Sequence, residues 1–394
     1  MIERTRYINK LIKLQNTKII KVVTGVRRCG KSTLLTQFRQ HLIEGGVSAD
    51  QCININLEDI ANEPLLEYHA LYDFILQRLQ PDKMNYIFLD EIQLVPNFEK
   101  AVDSLFLKDN VDIYLTGSNA YMLSGELATL LSGRYIEISM LPLSFKEYYS
   151  MQGGDKRAAF MKYYNAGGFP YAITLTDATI QNDYLNGIYS TVLLKDIVER
   201  RRVSDIGALE AVIKFLFDNI GNIVSSKKIA DSLTSTGRKT TPNTVDTYIN
   251  ALKDAFILYE AGRYDIKGRQ HLRSLEKYYI VDISLRNLLL GKRTMDIGHI
   301  LENIVYLELK RRGYDVYIGK IGTLEVDFIA VNGDDKLYYQ VAASILDPST
   351  YEREFAPLKQ IKDNYPKFVL TMDDFPMGEE GIKQQNIIDF LLSD

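Results

Sequence analysis

Gly25-Val26-Arg27-Arg28-Cys29-Gly30-Lys31-Ser32, residues 25–32, has the spacing G-x-x-x-x-G-K-[ST]. The stretch before it, "TKIIKVVT" (17–24), is short and β-branched, which predicts a buried strand. The stretch after it, "STLLTQFRQHLIE" (32–44), has helical spacing. A strand–loop–helix setting is what this spacing needs to bind phosphate. The glycines let the backbone wrap an anion, and the helix start aims N–H groups at it. In that role Lys31 reaches the β- and γ-phosphates of a nucleotide and the Ser32 hydroxyl binds Mg²⁺. Gly25 to Thr33 is then the nucleotide-binding stretch, with Thr33 a neighbour that has no separate role. Arg27 and Arg28 either help hold a polyphosphate or face solvent, and Cys29 is a small filler.

Further strands supply acids. "QCININL" (51–57) runs into Glu58 and Asp59, and in "NYIFLDEIQ" (85–93) four apolar residues run into Asp90-Glu91. A buried parallel strand delivers carboxylates to the carboxyl edge of a sheet in this way. Asp90 is placed to hold the Mg²⁺ shell through water, and Glu91 to polarise the attacking water. "DIYLTGSNA" (112–120) ends in polar residues, so Ser118 or Asn119 stands beside the γ-phosphate. "YMLSGELATLLSGR" (121–134) is helix-like and precedes the strand in "YIEISMLPLSF" (135–145). Arg134, between them, is either an arginine finger for a neighbouring subunit or a cap on a helix end.

The strings "GVRRCGKSTLL", "IFLDEIQ", "LTGSNA", "LSGRYIEISMLPLSFKEY" and "AGGFP" resemble a family of bacterial and archaeal AAA+-type ATPases that carry a C-terminal domain behind the ATPase domain. The resemblance spans nearly the whole chain. It implies an α/β fold: a P-loop AAA+-type parallel sheet of five strands with a helical lid, then a winged helix-turn-helix and a degenerate restriction-nuclease-like α/β domain. It also implies that Ser118 or Asn119 matches the sensor position and that Arg134 lies in the segment that carries the finger.

At 394 residues the chain exceeds one ordinary core. The expected division is 1–150 for the ATPase core, 151–205 for the lid, 206–290 for the winged helix and 291–394 for the nuclease-like domain. A net charge of −4 gives no global basic field, so any nucleic-acid contact is a local patch. Cys29 and Cys52 make neither a disulfide framework nor a zinc cluster, which fits a reducing cytosol. With no apolar leader and no run of about 18 apolar residues, no membrane contact and a cytoplasmic location are expected.

"MQGGDKR" (151–157) reads as a linker, and "AAFMKYYNAGGFPYAI" (158–173) as a helix stopped by Gly167-Gly168 and Pro170. Residues 183–205 have helical periodicity and end near Arg200-Arg201-Arg202. Lys195 or Arg200 could add a lid charge to the nucleotide, although an arginine run at a helix end also serves the dipole. From 206 the order is helix, short helix, polar turn, helix with Thr241 as cap and Pro242 at its first position, then two strands around a Lys/Gly/Arg tip. That is the winged helix-turn-helix order. Candidate DNA contacts are Arg238 and Lys239 in the turn, Asn243, Thr244 and Thr247 on the third helix, and Lys267, Arg269 and Arg273 on the hairpin. Asp246 and Asp254 on that third helix oppose them, and winged helices also dock proteins.

The last hundred residues begin with a helix (298–312) and three short strands, an order that resembles the PD-(D/E)XK nuclease core. There a helix Glu, a strand Asp and an E-x-K gather around a metal. Glu302 and Asp327 match, but Gln340-Val341-Ala342 stands at the E-x-K position. The glutamine keeps a neutral oxygen and the alanine has no amine, with Lys320 or Lys336 as substitutes from neighbouring strands. A binding-only relic is favoured over a live nuclease or a purely structural domain. "LKQIKDNYPKFVLTMDD" (358–374) reads as a helix and a last strand. The overall expectation is ATP and Mg²⁺ as ligands, hydrolysis coupled to DNA or a protein partner, and a possible homo-oligomer. The alternatives are a slow nucleotide-gated switch and a metal-dependent nuclease.

Overall fold

Five strands form the first sheet: β1 (Ile20–Thr24), β2 (Cys52–Asn56), β3 (Asn85–Asp90), β4 (Val111–Gly117) and β5 (Tyr135–Ser139). Their order is β2-β3-β4-β1-β5 and every pairing is parallel. The computed structural model describes residues 2–120, 131, 133–192, 197–198, 203–291 and 297–393, and of 273–275 only the backbone. β1, β3 and β4 are buried along their whole length. Their unbroken burial, without alternation, suits a sheet covered on both faces. Around it run α1 (Thr5–Leu14), α2 (Lys31–Glu44), α3 (Tyr68–Leu76) and α4 (Phe98–Phe106). Because β4 lies between β3 and β1, the carboxyl ends of these three strands stand side by side. The sheet interior also holds an ion pair. Lys21 of β1 bonds Asp112 of β4, and Asp112 further accepts the Tyr114 hydroxyl and the Asn16 N–H, each at 2.8 Å. Both charges are fully buried, and burial pulls the Lys21 pKa down against the pull of Asp112.

The chain divides into two compact units, Met1–Met140 with Asp254–Phe256, and Leu141–Lys253 with Ile257–Asp394. The second unit contains the regions for which boundaries at 205 and 290 were expected, and the helices expected as a lid. The lid expected over 151–205 holds α6 (Lys156–Ala166) and α7 (Ala178–Thr191), and α5 (Phe145–Gln152), at the end of the expected core, precedes them in the same unit. Lys195 and Arg200 to Arg202 lie outside the described residues. Next come α8 (Ile206–Asp218), β6 (Ile223–Val224), α9 (Ser226–Ser235), α10 (Pro242–Asp254), β7 (Leu258–Asp265) and β8 (Gln270–Ile280). Then follow α11 (Ile283–Leu290), α12 (Ile297–Arg311), β9 (Asp315–Ile321), β10 (Leu324–Asn332), β11 (Asp335–Val341), α13 (Pro348–Lys359), β12 (Lys367–Thr371), β13 (Ile382–Asn386) and α14 (Ile387–Leu392).

The strands after β5 make one eight-stranded sheet, β13-β12-β11-β10-β9-β7-β8-β6. β7 pairs in parallel with β9, so the hairpin β7–β8 continues the sheet of the last hundred residues. Of the helix and strand expected within 358–374, the strand is β12 (Lys367–Thr371), while the helix lies earlier. The helix is α13, ending where the expected one begins, and β13 with α14 follow beyond β12. Its start carries a cap signal: Asp347 accepts the N–H groups of Ser349 and Thr350, with Pro348 at the first position.

The "PLSF" and "GGFP" strings meet in one buried knot of this second unit. Leu143 N–H donates to the Gly168 carbonyl at 2.8 Å, and the Tyr163 hydroxyl to the Leu143 carbonyl at 2.9 Å. Asp282, which caps α11, accepts the Gly168 N–H at 2.6 Å. A Cβ on Gly168 would lie 2.4 Å from the Leu143 carbonyl oxygen, and one on Gly167 would strike the Asp282 carboxylate at 1.9 Å. Both glycines are therefore required by close approach, beyond stopping α6.

Candidate functional site

The loop between β1 and α2 owes its shape to two glycines. Gly25 has φ +148, and a Cβ there would lie 2.2 Å from the Met140 carbonyl oxygen. Gly30 caps α2 at φ 105 without a side chain to block the helix N–H groups. Below the loop, buried Cys29 has its thiol pKa pushed up by burial, against the pull of Lys31 and Arg4. Arg4, itself buried, donates to the Cys29 carbonyl at 3.0 Å and so anchors the loop from the amino end of α1. Arg27 pairs with Glu58 at 3.1 Å, whereas Arg28 is exposed at φ 66. Ser32 and Thr33 are exposed on the first turn of α2.

Lys31 is buried at the loop mouth. Its ammonium donates to the Gly25 and Val26 carbonyls at 3.1 and 3.3 Å and stands 3.6 Å from Glu91. Asp90 accepts the Thr116 hydroxyl at 2.5 Å. Burial raises its pKa, opposed first by hydrogen bonds from Ser32 and Thr116. Glu91 adopts φ 55, ψ 47, just past the end of β3, and its N–H donates to Thr116 at 2.8 Å. Burial would push the Glu91 carboxyl up, but Lys31, then hydrogen bonds and Arg27, hold it below the ordinary carboxylate value. Gln93 donates its amide to Glu91 and stands 3.5 Å from the Ser118 hydroxyl. Ser118 and Asn119 are both buried just beyond β4. One sheet edge thus gathers Lys31, Ser32, Asp90, Glu91, Thr116 and Ser118. Thr116, Gln93 and Arg4 were not singled out in the sequence. Gln93 is visible in "DEIQ", but its contact depends on the turn that Glu91 makes.

Arg134 stands at the opposite edge. Its carbonyl accepts the Ile20 N–H at 2.8 Å, at the amino end of β1. Its guanidinium pairs with Asp103 and lies 5.7 Å from the Phe106 ring centre. The helix-like segment expected before it, through residue 130, lies outside the described residues.

Residues 17–149 match the AAA domain family, and 157–296 match a domain of unknown function (DUF8612). An uncharacterized protein of Haemophilus influenzae is 40% identical over 399 residues, covering 100% of this chain and 99% of that protein. The uncharacterized protein MJ1544 of Methanocaldococcus jannaschii is 32% identical over 387 residues, covering 92% of this chain and 84% of that one. The chain belongs to their family. Among solved structures, the Walker-type ATPase PABY2304 of Pyrococcus abyssi aligns with a TM-score of 0.48 at 16% identity, over 73% of this chain and 96% of that chain. The first unit is an AAA-type P-loop domain: the matched residues hold its five parallel strands and the loop 25–32. Among the described residues no helix is long and apolar enough to cross a membrane.

A second cluster of charge lies in the second unit. Glu302 of α12 is buried and accepts the Lys277 ammonium at 3.0 Å and the Tyr279 hydroxyl at 2.5 Å on the same oxygen. Lys277 also contacts Glu325 at 2.7 Å. Asp327 accepts the Val341 N–H at 2.8 Å, and the Gln340 side-chain oxygen accepts the Asp327 N–H at 2.7 Å. The Gln340 amide donates to Glu354 at 2.8 Å. Burial raises the Asp327 pKa well above the carboxylate range, with Glu302 adding to the rise and Lys277 opposing it. For Glu302, burial pushes the pKa up, but Lys277 and the hydrogen bonds from His299, Tyr279 and Lys277 together bring it below the ordinary carboxylate value. Ala342 is buried and brings no polar group. The structure brings Glu302, Asp327 and Gln340 together. Lys336 instead lies over the Tyr264 and Tyr365 rings, and Lys320 pairs across strands with Glu325. Lys277 was missed. Its signal is alternation: Lys277 and Tyr279 share one face of β8, so a lysine faces inward.

Of the candidate DNA contacts, Arg238 and Lys239 are exposed after α9, and Lys267 and Arg269 are exposed at the hairpin tip. The tip is shaped by Asp265, which accepts the Lys267 and Gly268 N–H groups at 3.1 and 3.2 Å. The Arg273 side chain lies outside the described residues.

Proposed function

We propose that the chain is a Mg²⁺-dependent ATPase whose C-terminal half couples the nucleotide state to DNA or to a protein partner. The observation that carries it is Lys31 standing 3.6 Å from Glu91, beside an Asp90 that takes the Thr116 hydroxyl. A hydrolytic site needs these three groups within reach of one phosphate. The donor set suits Mg²⁺, because the Ser32 hydroxyl hydrogen-bonds the Asp90 carboxylate and two hard oxygens converge. Mg²⁺, when bound, neutralises charge on the phosphates. The backbone from Gly25 to Ser32 cradles the phosphates and Lys31 supplies a fixed positive charge. Glu91, held ionised, takes a proton from water at its carboxylate. Ser118 or Asn119 orients that water. Arg134 occupies the edge of β1 away from the loop, so as a finger it serves a second subunit's nucleotide.

In the second unit the order α8, β6, α9, α10 and the hairpin β7–β8 supports a winged helix-turn-helix. Arg238, Lys239, Lys267, Arg269 and Arg273 are its phosphate-contacting candidates. The order α12, β9, β10, β11 supports a degenerate nuclease-like domain that binds rather than cuts.

A second reading, a slow nucleotide-gated switch, is favoured by Gln93. Its amide holds the Glu91 carboxylate, so the base must be released before it acts. Two variants and one comparison test both readings. Lys31→Ala should weaken ATP binding about 100-fold, the scale of losing a charge-assisted hydrogen bond in a buried site. Glu91→Gln should keep binding and stop turnover. Unchanged ATP binding in Lys31→Ala would sink the ATPase reading. Turnover of the unaltered chain that rises with DNA supports the motor, and a slow rate that DNA leaves unchanged supports the switch.

A further inference from the structure

The nuclease-like order of the last hundred residues implies a divalent cation between Glu302 and Asp327, and the residues present do not fit one. The Lys277 ammonium stands among these acids, 3.0 Å from Glu302 and 2.7 Å from Glu325. Tyr279 takes the same Glu302 oxygen at 2.5 Å, and His299 stands 3.9 Å from the other. The Gln340 oxygen, the neutral ligand that could replace a carboxylate, accepts a backbone N–H instead. One Asp327 oxygen likewise accepts the Val341 N–H. Among the described residues no group of three or more His, Cys, Asp or Glu is placed to hold a metal ion. Mg²⁺ and Ca²⁺ need about six or more oxygen ligands at close range. An ammonium needs only three acceptors and carries one charge, which the two direct carboxylate contacts more than balance.

We propose that the Lys277 ammonium permanently takes the place of the divalent cation, making this cluster a metal-independent ionic junction and not a phosphodiester-cleaving centre. Lys277 comes from β8, Glu302 from α12 and Glu325 from β10, so the junction ties the hairpin to the C-terminal layer. The β7·β9 pairing joins the same two parts through the backbone. Ala342 brings no amine, and the amine that is present, Lys277, pairs with Glu302 and Glu325.

The test is Mn²⁺ titration of the full chain without nucleotide, in an Asp90→Asn background that silences the first site, read by electron paramagnetic resonance. The chain with Lys277 intact should bind no Mn²⁺ that Asp327→Asn removes. Lys277→Ala should gain about one Mn²⁺ per chain, and adding Asp327→Asn should abolish it. Mn²⁺ binding removed by Asp327→Asn while Lys277 is present overturns the proposal. So does a folded Lys277→Ala chain that gains no Mn²⁺. If Lys277→Ala does not fold, thermal melting decides. Lys277→Met leaves the acids without their cation, so the double variant Glu302→Gln/Lys277→Met should melt higher than Lys277→Met alone. A double variant that melts at or below the single one overturns the proposal.

Discussion

Lys31 and Lys277 are both buried lysines that face carboxylates, one in each unit, and their surroundings give them opposite uses. Lys31 is held by two neutral loop carbonyls and stands 3.6 Å from Glu91, on a helix turn whose next residues, Ser32 and Thr33, are exposed. Its single carboxylate partner stands at the longer end of ion-pair range, an arrangement that leaves room for an incoming anion. Lys277 touches Glu302 and Glu325 directly, at 3.0 and 2.7 Å. Burial would depress its pKa, but these carboxylates and Asp327 raise it above the ordinary lysine value. A lysine that arrives with two carboxylates in contact has no charge left to offer a phosphate. Similar ingredients thus make a ligand site or an internal bond, and the distance between the charges decides which.

The sharpest way to break this comparison is to make the same chemical change in both clusters. Glu91→Gln should lower ATP turnover about 10²–10⁴-fold, the scale of a lost general base, with little effect on unfolding by urea. Glu302→Gln should do the reverse. Removing one partner of a buried pair costs about 3–5 kcal/mol of stability, while ATP affinity should not change. Equal losses of stability in the two variants would erase the distinction. A smaller effect is expected at Gln93. Gln93→Ala frees the Glu91 carboxylate from a hydrogen bond worth about 1 kcal/mol net, so turnover should rise about fivefold. A fall would mean that Gln93 aims the base instead. The smallest effect is expected at Arg134. Its pair with Asp103 is partly exposed, so Arg134→Ala should cost about 0–1 kcal/mol of stability. If Arg134 serves a second subunit, turnover should fall only at concentrations where copies associate, which turnover against concentration beside a mass measurement would reveal.

The first site was legible because its parts are local. Gly25 to Ser32 is one unbroken string between a strand and a helix. Asp90-Glu91 announces itself as acids ending an apolar run, and parallel pairing then brings strand ends together without further instruction. The "PLSF" and "GGFP" strings were equally visible, yet their reason was not. Only the folded chain shows that Gly167 and Gly168 make room for Asp282 and Leu143, residues far away in sequence. The cap "DPST" at 347–350 is a local signal of the same kind, a capping aspartate followed by proline at the helix start.

By itself the sequence determined the α/β class, the phosphate-binding loop and the acids that face it, since each depends on spacing within a single element. Tertiary structure alone decided the company each charge keeps. Thr116 meets Asp90 across 26 residues, Arg4 meets the Cys29 carbonyl across 25, and Lys277 meets Glu302 across 25. Such meetings are set by strand order and register, which place side chains in contact without leaving a local pattern. Gln340 and Ala342 were legible as departures from the nuclease-like pattern that the last hundred residues resemble. That Lys277 pairs with Glu302 and Glu325 could be seen only where β8, α12 and β10 come together.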